Sequence, residues 1–261
     1  MVSGSASPGR RHTPPAPQVA VHPATHAFFL DVDGTLLDLA PSPDAVVVDP
    51  ALLDLLRALV ARTHGAVAFV SGRSIAALDD LFKPLLLPTA GLHGFERRNA
   101  AGAYSRRALP SGDALTHARV MLREFADQTP GVLLEDKQFA LAVHYRQVPQ
   151  VERAVLAQVE EVARSIGSTL EIQYGRMVAE LRPANASKAT AIADFMREPP
   201  FAGRRPVCLG DDLTDECAFE WVNAAGGLSI AVGVSRATAA TAQLASVAEA
   251  RHWLSGVVDL S

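Results

Sequence analysis

Asp31 and Asp33 stand one residue apart at the end of an apolar run, Phe28-Phe29-Leu30-Asp31-Val32-Asp33-Gly34-Thr35. Residues i and i+2 of a strand project to the same side. The two carboxylates therefore converge where the strand ends, and Gly34 permits the sharp turn that follows. Adjacent carboxylates repel unless a cation or a shared proton intervenes, so the pair implies a metal, acid/base work, or both. A buried strand ending in a polar turn would explain these residues taken alone. Three further segments supply the other parts of one mechanism: Ser71-Gly72-Arg73, Ser187-Lys188 and Gly210-Asp211-Asp212-Leu213-Thr214-Asp215-Glu216. A single Ser-Gly-Arg or a single lysine would read as a helix cap or a solvated charge. Five polar residues between Gly210 and Glu216, straight after an apolar strand, are hard to justify by packing.

The elements that must position these residues follow from periodicity. A strand is expected over 27–32. Asp49-Pro50 announces a helix, with aspartate as N-cap and proline at the first position; Leu52, Leu55, Leu56, Leu59 and Val60 keep helical spacing, and Gly65 follows its end. Ala66–Val70 is a second strand, a helix runs through Leu78 and Phe82, and a third strand lies near 86–90. This alternation is the pattern of a parallel sheet with crossover helices. Ligands of such a sheet gather at the carboxyl ends of its strands, where the polar segments fall. From about Asp113 the pattern changes to a helix over 113–128, strands near 131–136 and 138–146, a helix from Pro149 to Gly167, and strands near 169–174 and 177–182. The order αββαββ predicts an antiparallel sheet with helices on one face. The parallel pattern then resumes with a helix from Ser187, a strand over 206–209, a helix from Thr214 and a strand over 228–232. The expected fold is α/β: a doubly wound, mainly parallel, Rossmann-like core (26–111 and 184–261) interrupted by an inserted α+β cap (112–183).

Composition sets the outer bounds. A chain of 261 residues, 49 % hydrophobic with net charge −4, has ample core for such an arrangement and no basic surplus for nucleic acid. No stretch approaches the length of a membrane span. Cys208 and Cys217 sit at no metal-ligand or redox spacing, which favours a reducing, cytoplasmic setting. Residues 1–25 are rich in proline and lack the apolar segment of a secretory signal; they read as a disordered tail.

Taken together, the four segments resemble the motifs of the haloacid dehalogenase-like phosphatases, and the insertion resembles their larger cap. Gly210–Glu216, with Gly91-Leu92-His93-Gly94-Phe95-Glu96 and Glu180-Leu181-Arg182-Pro183, is similar to the trehalose-6-phosphate phosphatases in particular. The resemblance implies hydrolysis of trehalose 6-phosphate, the second step of trehalose synthesis after a glycosyltransferase, the trehalose-6-phosphate synthase. By the same resemblance Asp31 is the nucleophile that forms an aspartyl-phosphate and Asp33 the general acid and base. Mg²⁺ is held by the Asp31 carboxylate, the Asp33 carbonyl and the Asp211 carboxylate. Gly34, Thr35, Ser71, Gly72 and Lys188 contact phosphate, Gly72 through an amide at a helix N-terminus. Asp215 orients Lys188 or a metal-bound water, and Asp212 is a helix cap, a supporting residue or a direct contact. Glycine often follows the lysine in this family, whereas Ala189 follows Lys188; the amine that carries the chemistry is unaffected.

Selectivity falls to the cap, since the core chemistry suits almost any phosphomonoester. Candidates are Glu135-Asp136-Lys137, His144, Arg146 and Glu180, with Glu96 and His93 from the core; by the resemblance Lys137 and Glu180 hold the distal glucose. The rival readings are a phosphatase of another phosphorylated sugar (sucrose phosphate or glucosyl-phosphoglycerate), a phosphosugar mutase, and a catalytically dead binding domain. Repelling carboxylates serve no purpose in the last.

Overall fold

Strand β1 (His26–Leu30) is buried along its whole length, as a parallel strand covered on both faces must be. Phe28 and Leu30 pack into one core cluster and Ala27 and Phe29 into another, on the opposite face. The computed structural model describes residues 14–17, 21–39, 46–107, 112–136, 140–167, 170–175, 177–184 and 186–260.

Around β1 an eight-stranded sheet is assembled. Its strands are β2 (Val67–Val70), β3 (Thr89–Gly91), β4 (Glu96–Arg98), β5 (Tyr104–Arg106), β10 (Arg205–Gly210), β11 (Leu228–Val232) and β12 (Ala242–Leu244). The order is β12-β11-β10-β1-β2-β3-β4-β5, parallel from β12 to β3 and antiparallel across β4 and β5. Helices α1 (Pro50–Arg62), α2 (Ile75–Leu81) and α7 (Val247–Asp259) bring Leu52, Leu56, Leu78 and Leu254 to the Phe28 face. Helices α5 (Lys188–Phe195) and α6 (Glu216–Ala224) bring Ile192, Phe195 and Phe219 to the Phe29 face. The predicted cap of α1 is present, with the Leu52 amide donating to Asp49 Oδ1 at 2.9 Å.

The insertion forms a second sheet in the order β6-β7-β9-β8, antiparallel throughout. Its strands are β6 (Leu133–Asp136), β7 (Leu141–His144), β8 (Leu170–Gly175) and β9 (Val178–Pro183). Helices α3 (Gly112–Gln128) and α4 (Glu152–Ile166) cover one face, where Val155, Val159 and Val162 meet Leu141, Val143, Ala179 and Leu181.

Two expectations are corrected, and strands β4, β5 and β12 and helix α7 are additional to the expected elements. The Ser-Gly-Arg segment does not open α2; Ser74 caps that helix, with the Ala77 amide on its hydroxyl, so Gly72 lies ahead of the helix terminus. The polar strands β4 and β5, at the antiparallel end of the sheet, carry little periodicity because ion pairs hold β4: Arg97 with Glu198 and Arg98 with Asp79. Strand β12 and helix α7 went unplaced, although Ser246 and Glu249 form an S-x-x-E helix start, Ser246 Oγ accepting from the Glu249 amide. Not all of the first 25 residues are a loose tail: Val21 is buried in the core, and Pro15 accepts a hydrogen bond from the Gln243 amide of β12. Among the described residues no helix is long and apolar enough to cross a membrane.

Candidate active site

Three neighbouring parallel strands and one helix deliver the charged groups. Asp31 directly follows β1, and its amide donates to Leu209 of β10 at 3.1 Å. Asp211 and Asp215 follow β10, Asp215 from a 3₁₀ turn over Leu213–Asp215. Lys188 is the first residue of α5, capped by Ser187. Phe29 of β1 packs on Phe195 and Phe201, with ring centroids 6.1 and 5.5 Å away. Apolar packing beneath the site thus fixes where α5 starts, and with it the lysine.

Lys188 is almost fully buried and bridges two carboxylates, its Nζ 2.8 Å from Asp31 Oδ1 and 2.7 Å from Asp215 Oδ1. The second oxygen of Asp215 accepts from the amides of Asp211 and Asp212, at 3.2 and 3.1 Å. Asp212 turns its own side chain to the Leu213 amide and caps the turn. The Thr35 hydroxyl lies 3.0 Å from Asp31 Oδ2 and 3.3 Å from Asp211 Oδ1. Asp31, Asp211 and Asp215 each offer an oxygen within 4.8 Å of the others.

Three carboxylates therefore share one ammonium. Burial lowers the lysine's proton affinity, but Asp215 and Asp31 outweigh it and the net shift is upward. For Asp211, burial and then the charges of Asp31 and Asp215 push the carboxyl up to about 9. Burial also raises Asp215, against the pull of Lys188. A buried surplus of carboxylate oxygen is a donor set that fits a hard divalent cation. Of the three, Asp215 is the most heavily engaged, by Lys188 on one oxygen and by two backbone amides on the other.

Asp33 faces the turn after β2. Arg73 donates through Nε to Oδ2 and through Nη2 to Oδ1, both at 2.7 Å. Sequence reasoning gave Arg73 no role, although β1 and β2 are adjacent parallel strands whose following turns must lie side by side. Ser71 is buried, and its hydroxyl oxygen accepts from the Arg73 amide at 3.2 Å. Against the Ser71–Arg73 turn lies the Leu92–Gly94 turn: the His93 amide donates to Ser71 O and the Leu92 amide to Arg73 O, both at 2.9 Å. Leu92 and His93 hold left-handed backbone, φ 50° and 55°, and a Cβ on Gly72 would come within 2.8 Å of the His93 ring.

The phosphate-donor expectation is corrected for Gly34 and Thr35. Their amides donate to Leu37 O and Val32 O within the turn, and the fully buried Thr35 hydroxyl is directed at the carboxylates. Both residues shape the aspartate turn. Glu96 is likewise turned inward, accepting from the Ile75 amide at 2.6 Å and from the Tyr104 hydroxyl. It supports the start of α2, away from the expected sugar-reading role. In the small sheet Glu180 is buried, His144 pairs with Glu135 at 2.8 Å, and Arg146 is exposed in the turn after β7. Lys137 lies outside the described residues.

A strand-end carboxylate, a neighbouring carboxylate, a buried lysine and an acidic turn thus gather at the carboxyl end of a doubly wound sheet, the arrangement expected of the haloacid dehalogenase-type phosphatases. A solved phosphatase of that superfamily from Bacteroides thetaiotaomicron superposes with a TM-score of 0.64 over 93 % of this chain and 98 % of its own, at 18 % identity. The family described as Trehalose-phosphatase matches residues 29–249, and the chain belongs to it. It is 44 % identical to the trehalose-6-phosphate phosphatase of Escherichia coli (strain K12) over 88 % of this chain and 86 % of that one. A solved trehalose-6-phosphate phosphatase related protein has a TM-score of 0.70 at 29 % identity, over 89 % of this chain and 96 % of its own.

Proposed function

We propose that this phosphatase hydrolyses trehalose 6-phosphate to trehalose and inorganic phosphate through an aspartyl-phosphate on Asp31. The observation that carries the reading is the hold on Asp31: Lys188 on one oxygen, the Thr35 hydroxyl on the other. Both contacts fix the orientation of the carboxylate at the strand end. Asp31 attacks phosphorus, a P–O bond forms, and the bond to the sugar oxygen breaks. Asp33 protonates that leaving oxygen, then takes a proton from the water that cleaves the aspartyl-phosphate and restores Asp31. Splitting one hydrolysis into two displacements lowers each barrier, and acid/base assistance contributes about 10²–10⁴-fold. The Ser71 hydroxyl, the Gly72 amide and the Lys188 ammonium hold the phosphoryl oxygens as charge develops on them.

Mg²⁺ is the proposed cofactor, held by the Asp31 and Asp211 carboxylates and the Asp33 carbonyl; when bound it offsets the negative charge that otherwise opposes attack of one anion on another. The cap, residues 112–183, carries the sugar-reading groups, with Lys137, Glu180 and Arg146 as the candidates, and its closure over 26–111 and 184–261 excludes bulk water. The substrate is supplied by a synthase that joins the two glucose units, in the cytoplasm. The test is phosphate release from a panel of sugar phosphates, with Mg²⁺ and with EDTA. Mg²⁺-dependent preference for trehalose 6-phosphate is expected; even release across the panel would overturn the substrate.

A further inference from the structure

The two faces of the small sheet differ in kind. Leu141, Val143, Ala179 and Leu181 turn toward α3 and α4, so the residues that alternate with them point the other way. Register sets Ala142, Glu180 and Gln173 in one row across β7, β9 and β8, and Arg182 opposite Glu171 in the next. This second face is polar yet covered: Ala142, Glu180 and Arg182 are all buried. Strand β8, which carries Glu171, approaches the Leu213–Asp215 turn of the candidate site.

Within that face Arg182 stands out. Its side chain is 8 % exposed; Nε donates to Glu171 Oε1 at 2.9 Å, and Nη2 lies 2.7 Å from the same oxygen in an ion pair. Its Nη1 is buried and, among the described residues, has no hydrogen-bond partner. An unsatisfied buried donor is costly and rare. The Glu171 carboxylate already balances the guanidinium charge and locks its plane, so the remaining donor suits a neutral acceptor such as a hydroxyl or ether oxygen. Phosphate has its own proposed donors, around Lys188.

We infer that Arg182 Nη1 donates to an oxygen of the sugar portion of the substrate and that Arg182 is a specificity-determining residue, with Glu171 as the group that positions it. The inference rests on the phosphatase reading above and deepens it.

The experiment compares Arg182→Gln and Arg182→Lys with the wild-type chain on trehalose 6-phosphate and on p-nitrophenyl phosphate, an ester without a sugar, with Mg²⁺ present. The KM for trehalose 6-phosphate should rise about 10- to 100-fold, and the loss in kcat/KM should be at least about tenfold larger on the sugar ester than on the sugar-free one. The lysine variant keeps the charge and loses the planar fork, so it should fall between. Equal losses on both esters, or an unchanged KM for the sugar ester, would overturn the assignment. Should both Arg182 variants fail to fold, Glu171→Gln loosens the same guanidinium; the same unequal loss is expected, and wild-type kinetics on both esters would overturn the inference. A wild-type enzyme inactive on trehalose 6-phosphate but active on another sugar phosphate defeats the substrate reading alone, and the comparison is then made on that ester. Inactivity on every sugar phosphate defeats both.

Discussion

Arg73 grips both carboxylate oxygens of Asp33, forty residues away in sequence, each at 2.7 Å. The fork spans the turns after β1 and β2, so the register of two parallel strands sets the plane of the Asp33 carboxylate. A planar guanidinium can do this; an ammonium offers a point charge.

Arg73→Lys is expected to lower kcat about tenfold with a smaller change in KM, because it releases the carboxylate proposed to exchange protons with the leaving group. The two side chains are 17 % and 31 % exposed, so solvent screens the pair and the change in stability should stay below about 1 kcal/mol. Steady-state kinetics alongside a thermal melt decide the matter; a wild-type kcat would remove Arg73 from the alignment of Asp33.

Asp31→Asn keeps the shape of the strand end and deletes the proposed nucleophile. Turnover should fall by at least about 10⁴-fold, with the sheet intact by circular dichroism because Lys188 retains Asp215 at 2.7 Å. A residual kcat within about a hundredfold of wild type would contradict covalent catalysis at this residue.

Gly34 has φ 81°, and a Cβ there would lie 2.0 Å from Asp211 Oδ2. Gly203 has φ 79° with nothing within 4 Å of the added atom. Both alanine variants should lose about 1–2 kcal/mol from the left-handed backbone. Only Gly34→Ala must also displace Asp211, so it alone should weaken Mg²⁺ activation. Titration of activity against Mg²⁺ separates the two; matching curves would mean that Asp211 does not bind the ion.

Asp211 connects pH, metal and stability. Its carboxyl is pushed up to about 9 in the fold, first by burial, from an ordinary value of 3.8. Between those values the folded chain keeps a proton that the unfolded chain has released. Without metal, stability should therefore fall as pH rises across this window, by at most about 1.4 kcal/mol per pH unit from this group. A bound cation favours the ionised carboxylate, so the stabilisation by Mg²⁺ should grow with pH. Melting temperatures between about pH 5 and about pH 9, in EDTA and in Mg²⁺, test this; a gain from Mg²⁺ that shrinks toward high pH would contradict it.

Much of the molecule was legible beforehand because local rules agreed with the global fold. Asp49-Pro50 marked α1, Ser187 marked α5, and the valines of α4 sit at helical spacing with Val155, Val159 and Val162 buried. The illegible parts are those held by contacts far apart in the chain. Strand β4, three residues of Glu-Arg-Arg, looks like a loop until Arg97 meets Glu198 and Arg98 meets Asp79. Glu96 looked like a sugar-binding group because its side chain is polar and near a strand end, and nothing local reveals that Ile75 and Tyr104 already hold it.

The sequence by itself determined which carboxylates, which lysine and which strand ends are candidates for the chemistry, because their types and spacing are properties of single segments. Tertiary structure alone decided the pairing, since partners such as Lys188 and Asp31, Arg73 and Asp33, or Thr35 and Asp211 come from different segments. Whether a polar side chain faces a ligand or another residue depends on the register and packing that bring those segments together, and no single segment carries that information.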